Sequence, residues 1–360
     1  MTSLAQLGNQ LHTGERSIPF VQRRRTWFMA AAALVLLSVL LVAFKGINLG
    51  IEFRGGSQFT VSGTEKVEEQ PAHDVVAELG DGQVARVATV GSSSVRVQTQ
   101  ELTTDQTEEL RQALAEAYEV PDTDVTSTFI GPSWGQDITR QALLGLVVFV
   151  VLVAIVLSAY FRSWQMATAA LVGLLHDIVV TVGVYALIGW EVTPATVIGL
   201  LTILGYSLYD TVVVFDKVRE NTLDLAEQHD RTYSELSNLA VNQTLVRSIN
   251  TSLTSLLPVG SILFVGALLL GAGTLRDIAL ALFVGMFVST VSSIFVATPL
   301  QVALHERGES VRAHTEDVLA RRRRTSGSED VRVVLEEEAT LTAGQHRGQA
   351  AQPKRRKGRR

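Results

Sequence analysis

Six long apolar segments, separated by polar ones, run along this chain of 360 residues. About 20 consecutive apolar residues are enough for a helix to cross a membrane. The first and the last of these segments contain no charged residue. We therefore predict a membrane α-helical bundle of six transmembrane helices, the first at 27–44 and the others within 137–300, at about 142–161, 166–190, 192–215, 243–270 and 278–300.

The polar segment 45–136 lies between the first two spans and is long enough to fold as a domain. Its predicted elements are strands at 58–61, 84–90, 95–99 and 124–130 and amphipathic helices at 72–79 and 103–118. The order β-α-β-β-α-β is that of a ferredoxin-like α+β fold. This fold hosts many functions, so an inserted ferredoxin-like domain indicates none of them.

The composition narrows the class of protein. Hydrophobic residues make up 47% of the chain and charged residues 19%, against about 25% charged residues in typical soluble chains. This argues against an ordinary cytosolic enzyme. The chain has no cysteine, which excludes disulfides and Cys-ligated metal sites. No cofactor and no metal are expected.

The charges are unevenly distributed. Residues 45–136 carry 15 acidic and 6 basic side chains, a net charge of −9, whereas 301–360 carry 9 acidic and 14 basic ones, a net charge of +5. Lys and Arg near span ends favour the cytoplasmic side. The domain is therefore predicted outside, and segment 1–26 and the tail 301–360 in the cytoplasm. The tail is predicted to be disordered and basic, near anionic membrane lipids, with no specific nucleic acid as partner.

Three charged residues fall inside predicted spans: Asp177 in the third, Asp210 in the fourth and Arg247 in the fifth. A charge in the middle of a bilayer costs roughly 2.5–3.5 kcal/mol on insertion scales, so each needs a structural or functional reason. Thr202 and Tyr206 share one helix face with Asp210, because they precede it by eight and four residues. Asn250 and Thr251 lie near Arg247 in a polar stripe on the fifth span.

Asp210 and Arg247 enter the bilayer to similar depths, so we expect them to meet inside the bundle. One interpretation is a static, neutralised pair. The other is a proton relay, in which Asp210 loads and releases a proton as its access to water changes. Asp177 is either a buried, hydrogen-bonded carboxyl or a third member of the relay. A metal at His176 and Asp177 is disfavoured, because adjacent helical residues point about 100° apart.

Three motifs resemble those of the SecF family of protein-export membrane subunits. They are GYSLYDTVVVFD at 205–216, NQTLVRSINTS at 242–252 and GIEFRGG at 50–56. The third motif matches at Gly50, Phe53, Gly55 and Gly56, with Glu52 where the family has Asp. The resemblance covers about residues 20–305, with the motifs in the family's order beside the matching spans.

The resemblance implies a function. SecF proteins pair with SecD, associate with the SecYEG channel in the bacterial cytoplasmic membrane, and use the proton gradient to draw the translocating polypeptide outward. Asp210 and Arg247 match the family's residues for transport of protons, and Asp177 matches a recurring carboxylate in the spans. The chain is accordingly expected to be a proton-coupled translocation subunit and not an enzyme.

Three alternatives remain open. A half-pump for lipids or small molecules would share the buried charges but usually has a larger external domain. An intramembrane aspartyl protease would use Asp177 and Asp210, but its Gly-x-Gly-Asp motif is missing, since Leu174 to His176 precede Asp177. A passive scaffold would need neither carboxylate.

Overall fold

A computed structural model of the chain describes residues 4–79, 85–90, 93–269 and 273–338. Its helices are α1 (Leu4–Thr13), α2 (Arg24–Lys45), α3 (Ile51–Arg54), α4 (Gln70–Leu79), α5 (Thr104–Ala117), α6 (Pro132–Phe161), α7 (Trp164–Ile188), α8 (Pro194–Asn221), α9 (Tyr233–Ser261), α10 (Gly273–Ser292), α11 (Thr298–His305) and α12 (Glu309–Glu338). The strands are β1 (Asn48–Leu49), β2 (Gly56–Ser62), β3 (Arg86–Val90), β4 (Ser94–Thr99), β5 (Val125–Ile130) and β6 (Glu191–Val192). The predictions for residues 1–3, 84, 270 and 339–360 lie outside the described residues.

Six helical stretches among the described residues are long and apolar enough to cross a membrane, which confirms the six predicted spans. They are Arg24–Lys45, Ser133–Phe161, Trp164–Ile188, Pro194–Asn221, Tyr233–Gly266 and Leu275–His305. The last two include π-helical segments, Ile262–Leu269 and Ser293–Ala297. α9 begins ten residues before the predicted span, because the capping box formed by Thr232 and Glu235 starts the helix in polar sequence.

α7, α8 and α10 form the centre of the bundle, and small residues allow their close approach. A Cβ on Gly199 of α8 would lie 2.8 Å from the Cβ of Ala281 on α10. α6 lies at the edge and packs through its last turns, where Leu157 and Phe161 meet Phe215 of α8. The centre of the bundle is therefore the place where a polar side chain is shielded from lipid.

Gly183 of α7 gives a test of this packing. A Cβ there would lie 2.8 Å from the Cα of Ser38 on α2, so the two helices must separate to admit it. We expect Gly183→Ala to lower the free energy of unfolding by about 1–3 kcal/mol, measured by thermal unfolding in detergent. Gly145→Ala is the matched control, because no atom lies within 4 Å of its added methyl group. Equal stability of the two variants would contradict the close contact between α2 and α7.

The segment between α2 and α6 contains strands and helices in the predicted order. Its sheet is antiparallel throughout, with strand order β3-β4-β2-β5. The apolar faces of α4 and α5 join the sheet in one core, with Phe59, Val97 and Leu114 at its centre. The alternation of apolar and polar residues in β4 places every second side chain in this core.

A short connection joins this domain to the bundle. β1 pairs in parallel with β6, and the Gly50 N–H donates to the Val192 carbonyl at 3.0 Å. The one-turn helix α3 follows and ends at Gly55 and Gly56, whose φ angles of 79° and 128° favour glycine. A Cβ on Gly56 would lie 2.3 Å from the Thr99 carbonyl oxygen. The paired glycines therefore let the chain turn directly from α3 into β2 against β4.

Both terminal segments contain a helix, and the tail thereby differs from its prediction as disordered chain. Asn242 accepts from the Ile18 N–H at 2.8 Å and Asn238 accepts from the Val21 N–H at 3.1 Å, so α9 holds the segment after α1. α12 occupies 309–338 of the predicted disordered tail, and its Arg322 pairs with Glu235 at 2.7 Å. These partners are far apart in sequence, so no local periodicity indicates them.

Candidate functional site

Asp210 lies in the middle of α8 and faces the centre of the bundle. It is 4% exposed, and its Oδ2 accepts a hydrogen bond of 2.6 Å from the Ser293 hydroxyl. Ser293 is the first residue of the π-helical segment after α10, and such segments are frequent at functional sites. The same hydroxyl lies 3.2 Å from the Thr290 carbonyl oxygen. Because a hydroxyl has one proton, it can donate to only one of these two acceptors at a time.

Asp177 of α7 is also buried and is 1% exposed. Its Oδ2 accepts from the Ser207 hydroxyl at 2.7 Å, and its Oδ1 lies 3.3 Å from His176 Nδ1. The adjacent residues His176 and Asp177 therefore do make contact, although their positions on the helix point apart. His176 Nε2 is buried without a hydrogen-bond partner among the described residues.

Arg247 does not meet Asp210, which corrects the expectation from depth alone. Among the described residues, Asp210 and Arg247 form no ion pair; Arg247 is exposed and its Nη2 lies 3.5 Å from the Tyr209 hydroxyl. Tyr209 is 53% exposed and points to the same outer surface. Equal depth in two spans does not fix the direction in which each helix points its side chains.

The predicted supporting residues divide between the two environments. The Tyr206 hydroxyl is buried without a partner in the described part of the chain. Thr202 is exposed and donates to the Ile198 carbonyl at 2.8 Å. Asn250 is exposed and Thr251 half-buried, so the polar stripe on α9 faces largely away from the core of this chain.

Sequence reasoning missed the two serines that bind the carboxylates. Neither Ser293 nor Ser207 is among the site residues predicted from the sequence. The spacing of three residues places Ser207 near Asp210 on α8, but its actual partner, Asp177, lies on α7 at a separation of 30 positions. Ser293 lies 83 positions from Asp210, so nothing local connects them.

A second polar cluster lies where the domain meets the bundle. Arg96 of β4 pairs with Glu191 of β6 at 2.9 Å, and the carboxylate of Glu52 in α3 lies beside them. Burial raises the pKa of Glu52, and the negative charge of Glu191 adds to the effect, against the lowering by Arg96 and a backbone hydrogen bond. The charged form of Glu52 is therefore destabilised at this position.

This position gives a prediction on pH. A carboxyl with a raised pKa in the folded state stabilises the fold at low pH, and that contribution is lost as pH rises from the unfolded pKa through the folded one. We therefore expect the contribution of Glu52 to the stability of the chain to fall between pH 4.5 and pH 7.5. Glu52→Gln is expected to melt higher than the parent at pH 7.5, and the difference between variant and parent is expected to be smaller at pH 4.5. The control is Glu65→Gln, an exposed residue of the same domain. An equal response of both variants would contradict the effect of burial on Glu52.

Six spans and two carboxylates buried in their centre define a multi-pass membrane protein with ionisable groups inside the bilayer. Two family models match the chain: "Protein export membrane protein SecD/SecF, C-terminal" over residues 110–307 and "SecD/SecF GG Motif" over residues 40–67. The first covers more than half of the chain. The chain belongs to the SecD/SecF family of protein export membrane proteins.

Its relatives include subunits of protein translocases. The protein translocase subunit SecF of Streptomyces coelicolor is 45% identical over 332 residues, which cover 89% of this chain and 86% of that protein. SecF of Mycobacterium tuberculosis is 45% identical over 337 residues, covering 89% and 75%. A crystal structure of Thermus thermophilus SecDF matches with a TM-score of 0.71 and 32% identity, covering 81% of this chain and 39% of that one.

Proposed function

We propose that this chain is the SecF-type subunit of a Sec translocation accessory and uses the proton motive force to promote protein export. Its relatives are named as SecF subunits of protein translocases. The observation that carries the proton-coupled role is Asp210, a carboxylate in the middle of a span whose partner in this chain is a neutral hydroxyl.

The bond between Ser293 and Asp210 suits both protonation states of the carboxyl. When Asp210 is charged, the Ser293 hydroxyl donates to it. When Asp210 is protonated, it can donate to the Ser293 oxygen while the hydroxyl turns to the Thr290 carbonyl at 3.2 Å. One proton moved across 100 mV supplies about 2.3 kcal/mol. Asp210 can therefore load and release a proton with a rotation of the Ser293 hydroxyl, and Asp177 with Ser207 is a second buried carboxyl that is bonded to a hydroxyl.

The outer face of α8 and α9 supports SecD as the partner. Arg247, Asn250 and Tyr209 are exposed on it, and polar groups in a membrane normally face protein or water. Thermus SecDF is 35% identical to this chain, which covers 38% of that protein. We infer that a SecD subunit covers this face and that Arg247 completes the relay at the contact between the two subunits.

The other assignments follow from the same arrangement. The strand order β3-β4-β2-β5 supports a ferredoxin-like fold for the domain at 45–136. The charge distribution supports an orientation with this domain outside and both termini in the cytoplasm, and the bacterial SecF relatives support a position in the bacterial inner membrane. The basic tail would lie near anionic lipids, and SecYEG with its translocating polypeptide would be the further partners.

The proposal is tested by export in cells that lack their own SecF. The rate at which a pulse-labelled secretory precursor matures is measured with and without this chain, before and after a protonophore. We expect the chain to increase the rate and the protonophore to remove that increase. A passive scaffold would keep the increase when the gradient is collapsed.

A further inference from the structure

Two adjoining pockets lie at the base of the domain, and the first of them is also lined by residues of the membrane-spanning helices. One, of about 390 Å³, is lined by Lys45, Arg86, Arg96 and His73. The other, of about 440 Å³, is lined by Arg54 and shares Arg86 with the first. Lys45 is the last residue of α2, and Ala186 of α7 also lines the first pocket. The pockets therefore open where the spans leave the bilayer, at the level of the lipid headgroups.

The concentration of positive charge here is unexpected for so acidic a segment. Residues 45–136 contain 15 acidic and only 6 basic side chains, and four of the six line these pockets. The other two have acidic partners elsewhere: Lys66 pairs with Glu119, and Arg111 pairs with Glu108 and Asp122. Most basic residues of segment 45–136 thus lie on the surface of the domain that is next to the membrane.

Three of the four cations lack a carboxylate partner. Arg96 pairs with Glu191. Within the described residues, the Lys45 side chain donates only to the Leu187 carbonyl and the Arg86 side chain only to the Asn48 side chain, while the Arg54 side chain forms no hydrogen bond or ion pair. Among the residues that the structure describes, Glu101 is the one other acidic residue that lines the pockets. Partial burial and the neighbouring charge of Arg54 lower the pKa of Arg86. An anion between these side chains would relieve that repulsion.

We propose that these pockets bind the phosphate headgroup of an anionic phospholipid in the leaflet on the domain's side of the membrane. Arg54 and Arg86 hold the phosphate, since guanidinium groups donate paired hydrogen bonds to phosphate oxygens. Lys45 adds a charge from the end of α2. The lipid then fixes the distance of the domain from the bilayer. This inference rests on the fold and on the charges at the membrane surface, and it holds whether or not the chain transports protons.

The test is lipid binding by the full chain in detergent, measured by native mass spectrometry. The probes are phosphatidylglycerol and phosphatidylethanolamine with the same acyl chains. We expect preferential retention of phosphatidylglycerol, and a loss of roughly fivefold in its affinity for each charge removed in Arg54→Gln with Arg86→Gln. The matched control is Lys66→Gln with Arg111→Gln, which removes the same charge from the same domain and is expected to retain the lipid. If the first double variant does not fold, the single variant Arg54→Gln replaces it.

Three results would overturn the proposal. One is unchanged retention of phosphatidylglycerol in the variant that lacks Arg54 or both arginines. Another is equal displacement by glycerol 3-phosphate at the same concentration, which would identify a site for free phosphate esters and not for a lipid. The third is displacement by an acidic peptide at the same concentration, which would indicate that the pockets take polypeptide.

Discussion

Asp210→Asn is expected to abolish the part of export that depends on this chain, while the protein still folds and assembles. The asparagine has the shape of aspartate, and its Oδ1 can accept the hydrogen bond from Ser293 that now measures 2.6 Å. It cannot take up and release a proton. The export step then no longer receives the energy of the gradient, which is about 2.3 kcal/mol per proton at 100 mV. The measurement is the maturation rate of a pulse-labelled precursor in cells that contain only the variant.

The control for this experiment is Asp216→Asn, the same chemical change two turns further along α8. Asp216 lies near the end of the span and accepts a hydrogen bond from the Tyr160 hydroxyl at 2.8 Å. We expect it to leave export close to the parent level. Copurification with SecD serves as the check on assembly. Full export by Asp210→Asn would rule out this carboxylate as the proton carrier.

Arg247→Gln is expected to reduce export as severely, without destabilising this chain. Because Arg247 is exposed and its one side-chain hydrogen bond within the described residues is to Tyr209 at 3.5 Å, we expect a change in the free energy of unfolding within about 0.5 kcal/mol. If Arg247 instead formed a buried pair with Asp210, the expected loss in the free energy of unfolding would be larger. Removing one partner of such a pair leaves an uncompensated charge, which costs about 3–5 kcal/mol. Thermal unfolding of the purified variant distinguishes the two arrangements.

Arg247→Gln is also expected to weaken the contact with SecD. The variant is expected to copurify with less SecD than the parent and to lose the chain-dependent part of export. Lys217→Gln is the matched control, since it removes a positive charge near the end of α8, where Lys217 pairs with Glu220 at 2.7 Å. Normal export and normal recovery of SecD with Arg247→Gln would show that Arg247 has no role in the relay.

Linear patterns were sufficient for the spans, the order of elements in the domain, and the motifs of the family. The thickness of the bilayer sets the length of apolar sequence that a span needs, so each long apolar run indicates a transmembrane helix. Alternation in a strand and the period of a helix report on which residues of one element share a face. These are properties of neighbours in the chain, so Asp177 could be placed near the middle of the third span and Asp210 inside the fourth span without coordinates.

The partners of those carboxylates depended on how the helices pack. Helical spacing gives the depth of Asp210 and Arg247 but not the rotation of α8 against α9, and that rotation buries one residue and exposes the other. Ser293 reaches Asp210 because α10 packs on α8, across 83 positions of sequence. The contacts of α9 with the segment after α1, and with α12, likewise join distant polar residues that no local pattern connects. Sequence periodicity describes each helix alone, whereas a site between helices exists only once their faces are set against one another.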